Sequence, residues 1–264
     1  KINSDISYFS SHNLIGYKEG TTKPDEYLIF MAHWDHLGIN DELIGDQIFN
    51  GAADNAAGVA AVIELARKFD QVQTERSIIF TALTLEESGL LGSAYLAENP
   101  PIDLANIVAG FNFDRVLPTG KTKDMAVIGY GASELEDYLE EELEKQGRYI
   151  NPDPNPEKGY FYRSDHISFA KKGVPVLYSD DGFDLEDGGI EKGFNEIYDY
   201  TNFRYHGVKD EYDPSWNLEG FEQTIDTIFN ISLDLSNSSD WPNWYEGNEF
   251  RATRDAQLSL KNTP

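Results

Sequence analysis

Three short runs of almost purely apolar residues constrain the fold of this chain most strongly. They occupy residues 27–32 (YLIFMA), 77–84 (SIIFTALT) and 107–113 (IVAGFNF), and helical patterns lie between them. Strands that lack a polar face are buried on both sides, which requires helices on both faces of the sheet. Two further strands are expected at residues 125–129 and 174–178. The pattern predicts a three-layer α/β/α fold with a mixed, mostly parallel central sheet.

Helices are predicted where apolar residues recur at helical spacing or where helix-ending residues cluster. These segments are residues 54–69, 133–146, 166–172 and 218–235. The second is expected to begin with a capping box of Ser133 and Glu136 and to end at Gly147.

The remaining segments give the expected domain organisation. We expect one domain over residues 1–264, with residues 240–264 as a C-terminal extension packed on it through Trp241, Trp244 and Tyr245. Residues 180–213 hold Gly, Asp and aromatic residues without clear periodicity, so they are expected to form an irregular functional loop or lid. The chain starts at Lys1 without Met or a signal segment, so we expect a processed product whose upstream precursor segments are absent.

Charge and cysteine content exclude several classes of function. The 47 Asp and Glu outnumber the 21 Lys and Arg, which gives a net charge of −26. A surface this negative repels phosphate, so we expect binding to neither nucleic acid nor anionic membrane lipid. No run approaches the roughly 18 apolar residues of a membrane helix. Because the chain has no cysteine, a bound metal would need histidine and carboxylate ligands.

Polar residues collect just after the predicted strands, where open α/β sheets place their sites. His33 begins the segment HWDH after residues 27–32 and is a candidate metal ligand. Asp35 could accept the other ring N–H of His33, and a purely structural histidine is the alternative. Asp54 lies among small residues (NGAADNAAG) at a helix start, where N-capping is the alternative to ligation.

The later strands are followed by further polar clusters. Glu86 and Glu87 are adjacent carboxylates that repel unless a cation lies beside them, so one could ligate while the other faces substrate; an exposed turn is the alternative. Asp114 follows residues 107–113. The segments RSDH (163–166) and YH (205–206) complete the set, and aromatic packing is the alternative for the tyrosine.

These clusters carry a family resemblance. The segments AHWDHLG, NGAADNAAGVAA, TLEESGLLGS, NFDR, RSDHISFAKKGVP and YH, in this order, closely resemble the co-catalytic di-zinc aminopeptidases of family-28 metallopeptidases, bacterial leucyl aminopeptidase type. The match runs from about residue 14 to residue 235. The resemblance implies two zinc ions bridged by Asp54, with His33 and Asp114 at one ion and Glu87 and His206 at the other.

The resemblance also implies roles for residues that do not ligate. Glu86 would be the general base, and Asp35 would be the partner of His33. Arg163 would contact substrate, and Tyr205 would donate a hydrogen bond to the oxyanion. A cis peptide between Asp54 and Asn55 is implied as well.

The expected activity is hydrolysis of the N-terminal residue of peptides by metal-activated hydroxide. The expected substrates are peptides with a free N-terminus and an apolar or aromatic first residue. We expect the protein to be a monomer that is secreted or periplasmic. One wall of a closed pocket is expected from residues 180–213, with Phe183, Phe194, Tyr198 and Tyr200 available to line it.

Three alternatives stay open from the sequence. A glutaminyl cyclase shares the fold but uses one zinc. A glutamate-releasing carboxypeptidase needs a cationic pocket, for which only Arg163 and Lys209 are available. A non-catalytic binding domain would have lost ligands, and all five are present.

Overall fold

The computed structural model describes residues 7–261. The strands of this range are β1 Leu14–Lys18, β2 Lys23–His33, β3 Gly38–Ile39, β4 Ile48–Phe49, β5 Arg76–Leu83, β6 Ile107–Asn112, β7 Asp124–Val127, β8 Tyr149–Pro152 and β9 Val176–Asp181. Its α-helices are α1 Ala57–Asp70, α2 Leu91–Glu98, α3 Leu135–Lys145, α4 His166–Ala170, α5 Gly189–Phe203, α6 Glu219–Ser236 and α7 Arg251–Lys261.

The central sheet has seven strands in the order β1-β5-β2-β6-β9-β7-β8. The β2, β5, β6 and β9 strands run parallel, while β1 and β7 pair antiparallel with β5 and β9. The register places His33 opposite Leu83 and Met31 opposite Asn112. The carboxyl ends of β2, β5 and β6 therefore meet at one edge of the sheet. All five predicted strands are present, and the predicted fold class is confirmed.

The side chains of β2 alternate between two cores. Leu28 and Phe30 pack on the face covered by α1, α3 and α6. Ile29 and Met31 pack on the opposite face, against residues of α2 and α4. Because both faces are covered, β2 contains no exposed polar position from Tyr27 to His33, as the apolar run predicted.

The start of α1 differs from the prediction. The α-helix begins at Ala57, and Ala52–Ala56 form a π-helical turn in which Asp54 has non-helical angles (φ −122°, ψ 88°). No side chain caps α1, so the N-cap alternative for Asp54 is wrong. The small residues of this turn allow close packing, since Ala53 is 1% exposed.

The predicted capping box of α3 forms only in part. The helix begins at Leu135 without a side-chain cap from Ser133. Glu136 instead accepts hydrogen bonds from the backbone N–H groups of Gly131 and Ala132, at 2.8 Å each. The predicted end at Gly147, which has φ +70°, agrees with the structure to within two residues.

The prediction of an irregular segment over residues 180–213 is wrong for its middle part. Residues Gly189–Phe203 form α5, a 15-residue helix. Its glycines obscured the helical pattern, and at least one has a packing reason. A Cβ at Gly193 would lie 2.0 Å from the carbonyl oxygen of Phe183, so the close approach of that segment requires glycine.

The C-terminal segment packs against the domain through Trp244. Its side chain is 0% exposed, and its indole N–H donates to the carbonyl of Gly173. Tyr245 donates its hydroxyl to Asp137. Residues 262–264 of the predicted extension lie outside the described residues. Among residues 7–261, no helix combines the length and apolarity needed to cross a membrane.

Candidate metal centre and active site

The residues predicted at the strand ends converge on one cluster. His33 is the last residue of β2, Glu86 and Glu87 follow β5, and Asp114 follows β6. Asp54 reaches the same place from the π-helical turn before α1, and its peptide bond to Asn55 is cis. The topology thus brings together residues that are far apart in sequence.

One half of the cluster is built around His33. Its Nε2 lies 3.2 Å from Oδ1 of Asp54 and 3.3 Å from Oδ1 of Asp114. The imidazole is 1% exposed, so the β2 backbone and the covering layers fix its direction. The three side chains can offer one ligand atom each to a single cation.

The other half is built around His206. Its Nε2 lies 3.3 Å from Oδ2 of Asp54 and 3.1 Å from Oε2 of Glu87. His206 lies on a turn after α5 with a φ of +54°, a conformation that non-glycine residues adopt rarely. Asp54 therefore directs one oxygen at each half of the cluster.

Asp35 lies where it was expected but makes different contacts. The Nδ1 of His33 donates to the backbone carbonyl of Asp35 at 3.0 Å, while the carboxylate oxygen lies 3.8 Å away. The Asp35 carboxylate instead accepts from the backbone N–H groups of Glu86 and Glu87, at 3.0 and 3.2 Å. Asp35 thus fixes the orientation of His33 through its main chain and that of the Glu pair through its side chain.

His36 was assigned no role in the sequence analysis, yet it belongs to the cluster. Its Nδ1 lies 2.8 Å from Oε1 of Glu87, and its side chain is 8% exposed. His36, Asp54 and Glu87 also form a group that could hold a cation. The second histidine of the HWDH segment was the available signal, since it follows the same strand as His33.

The cluster favours bound cations, as the pKa values of its histidines indicate. Burial lowers the pKa of His33, but contacts with Asp114 and Asp54 outweigh it and raise that pKa well above its ordinary value. Contacts with Asp54 and Glu87 raise the pKa of His206 to about 10. Protons are thus held tightly beside the carboxylates, and a metal ion that binds here must displace them.

The pKa values of Glu86 and Glu87 shift in opposite directions. Burial would raise the pKa of Glu87, but hydrogen bonds from His206 and His36 lower it to about 2. Burial, followed by the negative charge of Asp114, raises the pKa of Glu86 to about 9. Because no cation among the described residues pairs with Glu86 at salt-bridge distance, one adjacent carboxyl is suited to ligation and the other to proton transfer.

The donor set fits zinc. Two ligand atoms of a tetrahedral zinc with bonds of about 2.0–2.1 Å lie roughly 3.3 Å apart. The four distances from Nε2 of His33 or His206 to the nearest oxygens of Asp54, Asp114 and Glu87 are 3.1–3.3 Å. Oδ1 of Asp54 and Oε1 of Glu87 are buried and face histidine nitrogens, at 3.2 Å from Nε2 of His33 and 2.8 Å from Nδ1 of His36, as expected of donor groups gathered around a metal.

A cavity of about 430 Å³ opens on the cluster. Glu86, Glu87 and Asp114 border it on the metal side, and Arg163, Tyr205 and His206 also line it. The ring of Tyr205 stacks on that of His206 with centroids 3.9 Å apart. The structure therefore brings all nine predicted site residues into the cluster or its border.

The aromatic residues expected in the wall of this cavity are the wrong ones. Phe183, Phe194, Tyr198 and Tyr200 are absent from the lining: Phe183 precedes α5 and stacks on Phe194 of that helix, and Tyr198 is 64% exposed. The aromatic lining besides Tyr205 comes from Tyr160 and Tyr162, which lie on a short 3-10 turn before α4, and from Tyr178, which lies on β9.

An α/β sheet whose carboxyl edge gathers histidines and carboxylates beside a cavity defines a metallohydrolase. The model of peptidase family M28 matches residues 13–232, and the chain belongs to this family.

Individual relatives align with only part of this chain or share low sequence identity with it. A probable zinc metalloprotease of Pyrenophora tritici-repentis is 36% identical over 104 residues, which are 39% of this chain and 24% of that protein. The chain thus matches only about a quarter of the length of this curated relative.

Solved structures share the fold at low identity. An aminopeptidase from Aneurinibacillus sp. strain AM-1 matches with a TM-score of 0.63 at 20% identity, over 88% of this chain and 49% of that one. A glutaminyl cyclase of Porphyromonas gingivalis matches with a TM-score of 0.59 at 18% identity, over 84% of this chain and 77% of that one.

Proposed function

We propose that the chain is a di-zinc aminopeptidase that removes the N-terminal residue of peptides. One observation carries the two-metal part of the proposal: Asp54 directs Oδ1 at His33 and Oδ2 at His206. Asp114 completes the first set and Glu87 the second. In this proposal His33, Asp54 and Asp114 hold one ion, and Asp54, Glu87 and His206 hold the other.

Paired zinc ions, when bound, would polarise the scissile carbonyl and lower the pKa of the attacking water. The positive charge of bound ions would favour the ionised form of Glu86, which then acts as the general base and afterwards as the general acid: its carboxylate takes a proton from the nucleophile and returns it to the leaving amine. Asp35 holds the Glu86 main chain through the hydrogen bond at 3.0 Å. Such a proton shuttle contributes about 10²–10⁴-fold to the rate.

Tyr205 is the proposed donor to the oxyanion. Its ring is held against His206 at the border of the cavity. Burial, followed by the charges of Asp54 and Asp114, raises the pKa of its phenol. The hydroxyl therefore keeps its proton at neutral pH and can donate a hydrogen bond to a developing negative charge.

The charge of the cavity supports binding of an amino terminus. Glu86, Glu87 and Asp114 border it, and a substrate ammonium group would be attracted to them. Of the cavity's arginines, Arg115 is already paired with Asp180. A terminal carboxylate would thus find Arg163 as its main cationic contact, which disfavours the carboxypeptidase alternative.

The remaining wall supports an apolar first residue. It contains Leu90 and Ile128 together with Tyr160, Tyr162 and Tyr178. Burial of an apolar side chain against such a wall is favourable by roughly 25 cal/mol per Å². We propose substrates that begin with an aliphatic or aromatic residue.

Two peptides that differ only in N-terminal acetylation test the activity. The zinc-loaded protein is expected to release the first residue of the free peptide and to leave the acetylated peptide intact. Cleavage of both at comparable rates, or release of residues from the C-terminus, would contradict the aminopeptidase proposal. Conversion of an N-terminal glutamine to a cyclic product, without peptide-bond hydrolysis, would favour the glutaminyl cyclase alternative.

A further inference from the structure

Asp210 is a buried carboxylate next to the metal centre that contributes no ligand atom to it. The side chain is 1% exposed. Its Oδ1 accepts from the backbone N–H of Ala53 at 2.9 Å, and its Oδ2 accepts from that of Asp54 at 3.0 Å. Its own backbone carbonyl accepts from Ala52 at 3.0 Å. Asp210 thus binds three consecutive amides of the turn that carries Asp54.

The same residue is tied to the turn that carries His206. The N–H of Asp210 donates to the carbonyl of Gly207 at 3.1 Å, and the N–H of Gly207 donates to that of Arg204 at 2.8 Å. The hydroxyl of Tyr200, on α5, donates to Oδ2 of Asp210 at 3.1 Å. The His206 turn and helix α5 are therefore linked to the Asp54 turn through one residue, by its backbone and its side chain.

This link joins two ligands of the same proposed ion. Asp54 and His206 belong to different elements, yet their ligand atoms lie 3.3 Å apart. We propose that Asp210 is a positioning residue that sets the spacing between Asp54 and His206 and thereby the affinity for zinc. The inference rests on the proposed metal centre and adds to it a residue that contacts neither metal nor substrate.

An asparagine at this position would keep the shape of the side chain and lose one of its two hydrogen-bond acceptors. Its carbonyl oxygen can accept from one of the two amides, but its NH₂ group would face the other N–H, which it cannot accept. Residues that orient metal ligands typically change metal affinity about 10–100-fold when they are replaced. We expect Asp210→Asn to weaken zinc binding by this factor.

A matched control separates positioning from general stability. Asp124 is also buried, at 0% exposure, and its two oxygens accept from the backbone N–H groups of Asp184 and Phe183 at 2.8 and 3.1 Å. Asn151 donates to it as Tyr200 does to Asp210. Unlike Asp210, Asp124 binds segments that carry no proposed ligand, so Asp124→Asn should lower the Tm and leave zinc affinity unchanged.

The experiment is competition for zinc against a fluorescent chelator, with the folded full chain as wild type, Asp210→Asn, Asp124→Asn and Tyr200→Phe. Asp210→Asn is expected to bind zinc about 10–100-fold more weakly and to lose much of the rise in Tm that zinc produces. Tyr200→Phe removes one donor to Asp210 and leaves its amide contacts, so a smaller, several-fold loss of affinity is expected.

The outcomes distinguish this inference from the proposed function. Wild-type affinity in Asp210→Asn, or an equal loss in Asp124→Asn, would overturn the positioning role while the metal centre stands. If Asp210→Asn does not fold, the test rests on Tyr200→Phe. An unchanged zinc affinity in that variant overturns the positioning role of Asp210, and a several-fold loss supports it. A wild-type protein that binds no zinc would overturn both proposals.

Discussion

Replacing Glu86 with glutamine should change the stability of the zinc-free protein in a pH-dependent way. The pKa of Glu86 is raised from an ordinary value of 4.5 to about 9, first by burial and then by Asp114. Between these two values the folded carboxyl keeps its proton while the unfolded one ionises. The folded state thus binds one proton more, and stability falls as pH rises through this window.

The magnitude follows from the linkage relation. One extra bound proton in the folded state corresponds to a loss of about 1.4 kcal/mol per pH unit, or at most about 4 kcal/mol between pH 5 and pH 8. Because Glu86 is only partly buried, we expect about half of this limit. Glutamine has no proton to lose in either state, so Glu86→Gln should become more stable than wild type by about 2 kcal/mol over this range.

Urea unfolding of the chelator-treated proteins at pH 5, 6.5 and 8, followed by circular dichroism, measures this difference. Glu140→Gln is the control, since Glu140 is exposed on α3 and should follow wild type at every pH. Parallel pH profiles for wild type and Glu86→Gln would refute the assigned environment of Glu86. With zinc restored, the same variant should keep its metal and lose about 10²–10⁴-fold in kcat.

Three further substitutions test the other roles. Asp54→Ala should lose both zinc ions together, and a variant that retains two tightly held ions would contradict the bridging role. Glu87→Gln should weaken one ion while the His33 set keeps the other, as measured by zinc content after dialysis; if it kept its metal and lost only kcat, the base and the ligand would have to be exchanged. Tyr205→Phe should lower kcat by up to about 10²-fold with zinc content unchanged, and an unchanged kcat would return Tyr205 to a packing role.

The central sheet, and the edge of it that carries the site, could be predicted because short runs of the sequence indicate them. A run such as residues 27–32 has no polar position, so it must be buried on both faces, and the polar residues that follow it must lie at the sheet edge. This reasoning placed His33, Glu86, Glu87 and Asp114 together, and the structure places them in one cluster. The family resemblance, rather than local pattern, supplied the partition into two ligand sets.

Tertiary contacts explain what the sequence analysis missed. The helical pattern of α5 is interrupted by Gly193, which is required by the close approach of Phe183 and not by a loop. The pairings of His36 with Glu87 and of Asp210 with the Asp54 turn join residues distant in sequence, which no spacing rule predicts. The edge strand β1 was missed because much of its length is exposed, so it lacks the apolar run that identified the central strands.

Counting zinc ions per chain tests the central claim most directly. The protein would be stripped with a chelator, titrated with zinc, and analysed for bound metal and for release of the first residue from an aminoacyl anilide at each step. We predict saturation at two ions per chain and full activity only when both are bound. Saturation at a single ion with full activity, or hydrolysis by the metal-free protein, would contradict the di-zinc account.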